Sequence, residues 1–592
     1  MMRREPRRIS DGRFSLPDCG FACLFTMRHG IADALFEGMR RGSCVSFCWK
    51  TIRSVSGCDW PGTGFFRMGG NKTLMQIENL SVTLTRDGRV LLDNLNLTLT
   101  AGDRLAIIGE EGNGKSTLLR LLCSDELVSG YAGYTGRIMR GGHVGYLPQE
   151  LPPGERTQTV YEWIGGSEAF LGAPPRELEA LTAAWRLPSG FFYSDQTVGS
   201  LSGGERIKLQ LARLRLERPD VLLLDEPSND LDIDGLRLLE TFLLEARCPV
   251  LYVSHDETLI ERTATVILHL EQLEDKTKAR HTIARVPYDE YVRRRADGLS
   301  RQERLSRKDR EEYERQQARW RAIYERVDRE QRTISRADPH GGQLLKKKMK
   351  AVQSQKKRFE QEKDELTPMP ETEEAIFLRF GEAASLPNGK GVLDWRLDRL
   401  EAGGQILARD VRLSITGPAH ICLTGPNGCG KSTLLRLLAA ELLPRRDIRA
   451  AYMPQQYEEQ LDMAATPVEW LAPEGDRAAI TLACTRLGSC RFTAEEMQRP
   501  IAALSGGQKA KLMLLRMVLQ GSNVLILDEP TRNFSPLSGP VIRGILREFR
   551  GAILSVSHDR RFIREVCDRV YVLSADGLHE SSLEAVAGEE RA

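Results

Sequence analysis

No stretch of this chain approaches the roughly 18 consecutive apolar residues that a membrane-crossing helix needs, which argues against a helical membrane domain. Net charge is also nearly absent. The 84 Lys and Arg against 82 Asp and Glu leave a formal +2, so any contact with nucleic acid has to be local. An even cysteine framework is missing too: five of the twelve cysteines (Cys19, Cys23, Cys44, Cys48, Cys58) precede Met75 and the rest are scattered, as expected of a reducing, cytoplasmic compartment. Cys19/Cys23 and Cys44/Cys48 have a spacing that could set four thiolates on zinc, but no histidine pattern supports them. The apolar run Phe21 to Met27 is broken by Arg28 and His29 and makes a poor signal peptide. A clear amphipathic strand pattern starts only at Met75. Residues 1–74 therefore read as an extension, or as a leader upstream of a start at Met68 or Met75.

What is present is chemistry written twice. Strand patterns around Leu74–Leu84 and Leu91–Leu99 are followed by Arg104–Ile108, a buried strand that runs into Gly109-Glu110-Glu111-Gly112-Asn113-Gly114-Lys115-Ser116-Thr117 and then an apolar helix, Leu118–Leu122. This is a phosphate-binding loop in its proper setting. Gly109, Gly112 and Gly114 let backbone N–H groups close on a β-phosphate at a helix N-terminus, Lys115 neutralises phosphate oxygens, and Ser116 is placed for Mg²⁺. The second copy is Gly425-Pro426-Asn427-Gly428-Cys429-Gly430-Lys431-Ser432-Thr433, behind the strand His420–Thr424.

Each loop is followed by a glutamine (Gln149; Gln455), by Leu-Ser-Gly-Gly (Leu201–Gly204; Leu504–Gly507), by an apolar strand ending in Asp225-Glu226 or Asp528-Glu529, and by a histidine (His255; His558). The spacing repeats as well. Signature serine to strand aspartate is 23 residues in both copies and aspartate to histidine is 30, at a constant offset of 303, whereas the loop lysines are 316 apart. A domain has been duplicated, with 13 extra residues between loop and signature in the first copy.

The motifs and their order resemble those of ATP-binding-cassette ATPases across both units. The resemblance implies an α/β fold with two P-loop cassettes (75–285 and 373–592) joined by an antiparallel two-helix coiled coil (286–372). It implies a monomer whose cassettes form a head-to-tail sandwich, each ATP and Mg²⁺ lying between the P-loop of one cassette and the signature of the other. Site one would then combine Lys115, Ser116, Gln149, Asp225, Glu226 and His255 with Ser505, Gly506, Gly507 and Gln508. Site two would combine Lys431, Ser432, Gln455, Asp528, Glu529 and His558 with Ser202, Gly203, Gly204 and Glu205. In these roles Ser116, Asp225, Ser432 and Asp528 hold the metal, Glu226 and Glu529 act as bases toward the attacking water, and the Gln and His pairs orient water and contact the γ-phosphate. Two departures stand out. No aromatic residue for stacking on adenine occurs near Leu84 or Leu400–Ala402, and Ser535 replaces an aspartate expected to couple the two sites.

The linker narrows the family. Residues 301–365 carry 20 Lys/Arg and 13 Asp/Glu, but between Arg332 and Arg358 the count is 9 (Arg332, Arg336, Lys346, Lys347, Lys348, Lys350 and three more) to one acid, Asp338. Tyr313, Trp320, Val327 and Ile334 recur every seven residues, then Leu345, Val352 and Phe359, with Ile323 and Met349 between. The cluster Asp338 to Gly342 reads as the breaker between two helices. At 1.5 Å per residue the longer helix spans about 70 Å.

Tandem cassettes with a basic-tipped helical linker resemble the F subfamily, whose members act on the ribosome and place the linker near the tRNA exit and peptidyl-tRNA sites. The partners implied are rRNA and P-site tRNA, with neither membrane nor DNA. The family's arm insertion is lacking, since Gln149 to Ser202 is 53 residues against 50 in the second copy. That, with Thr531–Ser538, is similar to the branch that protects ribosomes from peptidyl-transferase-centre antibiotics. Three other readings stay open: a housekeeping translation factor of the same family, the ATPase subunit of a transporter, or a nucleic-acid repair clamp. Neither cassette carries the clustered cysteine pairs of the last.

Overall fold

The computed structural model describes residues 74–273, 276–333, 339–364, 366–370, 378–381 and 385–588. The cysteine-rich segment before Leu74, Ile334 and Arg336 lie outside the described residues.

Cassette one begins with β1 (Met75–Leu84), β2 (Val90–Leu99) and β3 (Arg104–Ile108), then α1 (Lys115–Cys123), β4 (Ala132–Arg140) and β5 (Val144–Leu147). After a helical region come α2 (Gly203–Glu217), β6 (Val221–Asp225), α3 (Ile233–Glu245), β7 (Val250–Val253), α4 (Glu257–Thr263), β8 (Val266–Leu273) and β9 (Lys278–Ala284). The six-stranded sheet runs β5-β6-β7-β3-β8-β9, parallel except for β9 at its edge, while β2-β1-β4 forms a separate antiparallel sheet. Every residue of β6 is buried, as expected of a parallel strand covered on both faces.

The linker consists of α5 (Tyr288–Thr333) and α6 (Pro339–Asp364). Cassette two then repeats the plan with β10 (Lys390–Ala402), β11 (Gln405–Gly417), β12 (His420–Thr424), α7 (Lys431–Leu442), β13 (Ala450–Met453), α8 (Gly506–Leu519), β14 (Val524–Asp528), α9 (Gly539–Arg547), β15 (Ala552–Val556), α10 (Arg560–Val566), β16 (Arg569–Ser574) and β17 (Gly577–Ser581). Its sheet order, β13-β14-β15-β12-β16-β17, is that of cassette one strand for strand.

In the linker, Val327, Leu345, Met349 and Val352 are buried between the helices, Tyr324 packs on them, and Trp320 Nε1 donates to the Val352 carbonyl at 2.8 Å. The seam departs from expectation at Ile323, which is 49% exposed, because the neighbouring Tyr324 ring supplies the inward face. The breaker reading is also corrected. Helix α6 is already under way at Pro339, whose missing N–H costs nothing in a first turn, so His340 to Gly342 are helical. Lys346, Lys347, Lys348 and Lys350 are exposed on the third and fourth turns of α6, and Arg332 pairs with Asp328 at 2.8 Å. The root of α5 belongs to cassette one: Tyr288 and Tyr291 enter its core, the Tyr291 hydroxyl lies 2.8 Å from His269 Nδ1, and Arg295 meets Glu271 at 2.7 Å.

Three buried or half-buried cations from cassette two join the halves beside the linker root. Arg543 on α9, 2% exposed at its side chain, pairs with Glu257 on α4 at 2.5 Å. Arg560 on α10 pairs with Glu240 on α3 at 2.5 Å, and Arg561 reaches Glu257 at 2.9 Å, Glu261 at 2.5 Å and Asp289 of α5 at 3.5 Å. Across the nucleotide side, Arg532 pairs with Asp230 at 2.8 Å.

Candidate active sites between the cassettes

The strand order decides where the chemistry collects. In cassette one β3, β7 and β6 are neighbours, and Ile107 is level with Val253 and Asp225 with Val253, so the P-loop, His255 and Asp225-Glu226 leave the same carboxyl edge of one parallel sheet. In cassette two β12, β15 and β14 do the same, with Asp528 level with Val556. Ligands of open α/β sheets bind at that edge.

Gly109, Gly112 and Gly114 have φ of +141°, +81° and +90°, and a Cβ on Gly109 would stand 2.2 Å from the Leu270 carbonyl oxygen. Lys115 Nζ donates to the carbonyls of Gly109 (2.8 Å) and Glu110 (3.0 Å), as Lys431 does to Gly425 and Pro426 (both 2.9 Å). A Gly109→Ala chain should therefore bind ATP at site one at least tenfold more weakly in equilibrium dialysis, since neither the backbone angle nor the opposing carbonyl can yield cheaply.

Ser116 Oγ donates to Asp225 Oδ1 at 2.8 Å, while Asp225 Oδ2 is buried with no hydrogen-bond partner among the described residues. Burial pushes the Asp225 carboxyl up to about 6, against the Ser116 hydrogen bond. Asp528, beside Ser432, is likewise raised by burial, and its Oδ1 lacks a partner among the described residues. A buried, half-satisfied carboxylate next to a serine hydroxyl is a donor set suited to a hard cation, so both pairs fit Mg²⁺.

Both catalytic candidates sit in the left-handed region, Glu226 at φ +53° and Glu529 at +52°. Such backbone costs about 1–3 kcal/mol for a residue other than glycine, and the identical strain in both copies marks the sites. Their surroundings differ. Glu226 accepts hydrogen bonds from Gln149 Nε2 (3.0 Å) and Asn229 Nδ2, and its Oε1 is 3.2 Å from His255 Nε2. The other His255 nitrogen faces the carbonyl of Phe534, in the opposite cassette, at 2.7 Å, so both partners ask the ring to donate. Burial opposes ionisation of Glu226, but His255, Lys115 and Asn229 outweigh it and hold the carboxyl at about 2. Glu529 is pushed up to about 8 by burial and by the Asp528 charge, with His558 Nε2 3.9 Å away. His558 is driven down to about 3 by burial and by Lys431, and its Nδ1 has no partner among the described residues.

The signatures oppose the P-loops of the other cassette. Ser202 and Ser505 cap α2 and α8 in capping boxes, and the side chains of Glu205 and Gln508 turn back onto the backbone N–H of those serines (both 3.0 Å) rather than across the interface. At site one the Gly507 N–H donates to Glu111 of the P-loop at 3.0 Å, and a Cβ on Gly506 would lie 3.1 Å from the Glu111 carboxylate. At site two a Cβ on Gly204 would stand 3.0 Å from Asn427 Nδ2, and the Asn427 N–H donates to Asp232 at 3.2 Å. A cavity of about 630 Å³ there is lined by Ser202 and Gly203 together with Gly428, Gly430, Lys431, Ser432, Thr433, Gln455, Asp528, Glu529 and His558. Ala402 and Leu407 also line it, and among the described residues no Phe, Tyr or Trp does. Thr117 follows Ser116 in the first turn of α1, half-buried.

Sequence reasoning missed Asn229, Arg532 and the Phe534 carbonyl. They lie just after Asp-Glu-Pro, where the two copies diverge, and that divergence was the available signal. Asn229 and Arg532 are equivalent at the 303 offset, yet one holds Glu226 and the other crosses to Asp230. Asp232 reaches Asn427 across the interface, whereas its counterpart Ser535 bonds Ser538 in its own cassette at 3.0 Å.

A family model described as "ABC transporter" matches residues 92–229 and 408–532. The ATP-binding cassette sub-family F member 3 of Homo sapiens is 31% identical over 544 residues, covering 86% of this chain and 73% of that protein. The chain belongs to sub-family F of the ATP-binding-cassette proteins. As a sub-family F chain it is an ATPase, converting ATP and water to ADP and phosphate. The "Probable ATP-binding protein YheS" of Escherichia coli K12 is 29% identical over 546 residues, 86% of this sub-family F chain and 79% of that one. Among solved structures, an RNase-L Inhibitor (TM-score 0.53, 19% identity, 86% of this chain and 91% of that one) and the archaeal ribosome recycling factor aABCE1 (0.53, 18%, 84% and 89%) share the tandem-cassette fold. Among the described residues no helix is long and apolar enough to cross a membrane.

Proposed function

We propose that this ATPase acts on the bacterial ribosome in the cytoplasm, binding with its cassettes closed on ATP, lodging the helical hairpin near the tRNA exit and peptidyl-tRNA sites, and leaving after hydrolysis. The observation that carries the reading is the row of exposed lysines, Lys346, Lys347, Lys348 and Lys350, on a seamed hairpin whose root is built into cassette one beside the interface. Exposed cations on a projecting helix fit a phosphate backbone. The same tandem-cassette fold occurs in an archaeal ribosome recycling factor.

In each site the P-loop N–H groups and Lys115 or Lys431 bind the ATP phosphates. The pairs Ser116/Asp225 and Ser432/Asp528 would hold Mg²⁺, which supplies charge neutralisation when bound. Glu226 and, once ionised, Glu529 take a proton from the attacking water, and Gln149, Gln455, His255 and His558 orient it. The signature glycines meet the terminal phosphate with backbone N–H groups. At site two, loss of that phosphate removes the shared partner and opens the sandwich.

A chain that binds but does not hydrolyse, Glu226→Gln/Glu529→Gln, should cosediment with 70S ribosomes in ATP and not without it; equal sedimentation in both would sink the proposal. Replacing the four lysines by alanine should weaken that complex and flatten its salt dependence, leaving ribosome-free ATPase activity intact. The short Gln149–Ser202 gap and the Thr531–Ser538 segment favour protection against peptidyl-transferase-centre antibiotics. On that reading, expression in a susceptible bacterium shifts the inhibition curves of such drugs and of no others.

A further inference from the structure

The two P-loops differ where they face the opposite signature. Positions two and three of the first loop are Glu110 and Glu111; those of the second are Pro426 and Asn427. Glu111 Oε2 accepts the Gly507 N–H at 3.0 Å, at the N-terminus of the 14-residue helix α8, and Glu110 Oε1 meets Lys511 of the same helix at 2.8 Å. Lys511 is only 5% exposed at its side chain, so this pair is part of the interface and not a surface accident. Site two is an internal control. There Asn427 acts as a donor, to the Asp230 carbonyl (2.6 Å) and the Asp232 carboxylate (3.2 Å). Lys208, the counterpart of Lys511, faces Pro426 across a small cavity and pairs with no acid among the described residues.

The signature N–H at a helix N-terminus is the group that would receive the terminal phosphate of ATP. At site one a carboxylate of the protein already occupies that donor. We infer that Glu111, supported by the Glu110–Lys511 pair, stands in for the ATP terminal phosphate at site one, clasping P-loop and signature together without nucleotide and disfavouring ATP there relative to ADP.

The physics is direct. One N–H cannot serve a carboxylate and a phosphate oxygen equally, and the Glu111 carboxylate repels a terminal phosphate brought to the same donor, while Lys511 balances Glu110. ADP ends before the contested donor and is spared. Site one therefore stays associated after its phosphate has gone, and the filling and emptying of site two decides whether the cassettes part. The inference rests on ATP binding alone and is independent of any ribosomal role.

The test uses the full chain carrying Lys431→Ala, which leaves site one as the nucleotide site, and measures ATP and ADP affinities separately by competition with a fluorescent nucleotide, without ribosomes. Glu111→Asn should tighten ATP about tenfold and leave ADP unchanged, with the near-isosteric Glu111→Gln moving in the same direction. A change common to both nucleotides would assign Glu111 a merely structural role and overturn the inference, as would unchanged or weaker ATP binding. Hydrogen exchange on the nucleotide-free chain gives a second readout. The Gly507 amide should be protected in the parent and exchange faster in Glu111→Asn; an unprotected Gly507 amide in the parent also overturns it.

Discussion

Replacing Glu226 and Glu529 together by glutamine will lower ATP turnover by at least a hundredfold while ATP binding persists. Glutamine keeps the side-chain volume and one acceptor oxygen but cannot take a proton, and a positioned general base contributes about 10²–10⁴ in rate. Binding should survive because the phosphates would be held by the P-loops, where Lys115 and Lys431 are anchored on the loop carbonyls, and not by either glutamate. At site one the new amide would still find Gln149, Asn229 and His255 around it, so the pocket has no reason to collapse. Phosphate release in steady state, together with retention of a fluorescent ATP analogue, checks both halves. A loss of binding in parallel with turnover would show instead that the glutamates hold the left-handed backbone at φ +53° and +52° together.

Arg543→Met should cost about 3 kcal/mol, the lower end of what breaking a buried ion pair costs, because Arg561 still reaches Glu257 after the guanidinium is gone. Most of that cost comes from the Glu257 carboxylate, which stays buried with too little positive charge around it. Adding Glu257→Gln to Arg543→Met should therefore recover most of the stability, and a double-mutant cycle in urea reads it directly. Since the pair spans the cassettes, the single variant should also split unfolding into two transitions, seen by calorimetry. A single variant within about 0.5 kcal/mol of the parent would mean that the pair contributes nothing.

Much of this could be read from the chain because it depends on local pattern. A buried strand, a glycine loop and an apolar helix are contiguous, so both P-loops and the duplicated sheet were legible, and a seven-residue recurrence located the linker seam. What escaped depends on sequence-distant partners. Ile323 lost its inward place to Tyr324 because a large ring one residue away fills the same groove. Pro339 read as a breaker because proline stops a helix from within but suits its first turn. The Phe534 carbonyl has no side-chain signature at all, and its role toward His255 exists only once the cassettes face each other. Glu110 and Glu111 were visible as residues, yet nothing in a P-loop pattern says that they answer Gly507 and Lys511 some 400 positions away.

The buried cations carry one more consequence. At the constant offset of 303, Glu240 corresponds to Arg543 and Glu257 to Arg560, so two equivalent positions have exchanged sign between the copies. The pairs Arg543–Glu257 and Arg560–Glu240 are thus one contact related by the pseudo-twofold axis of the sandwich. Were two first cassettes to meet in this geometry, Glu240 would face Glu257 without the arginine that now crosses the interface; two second cassettes would bury Arg543 against Arg560. Duplication followed by charge exchange has made each half a poor mate for its own kind and a good one for its sibling.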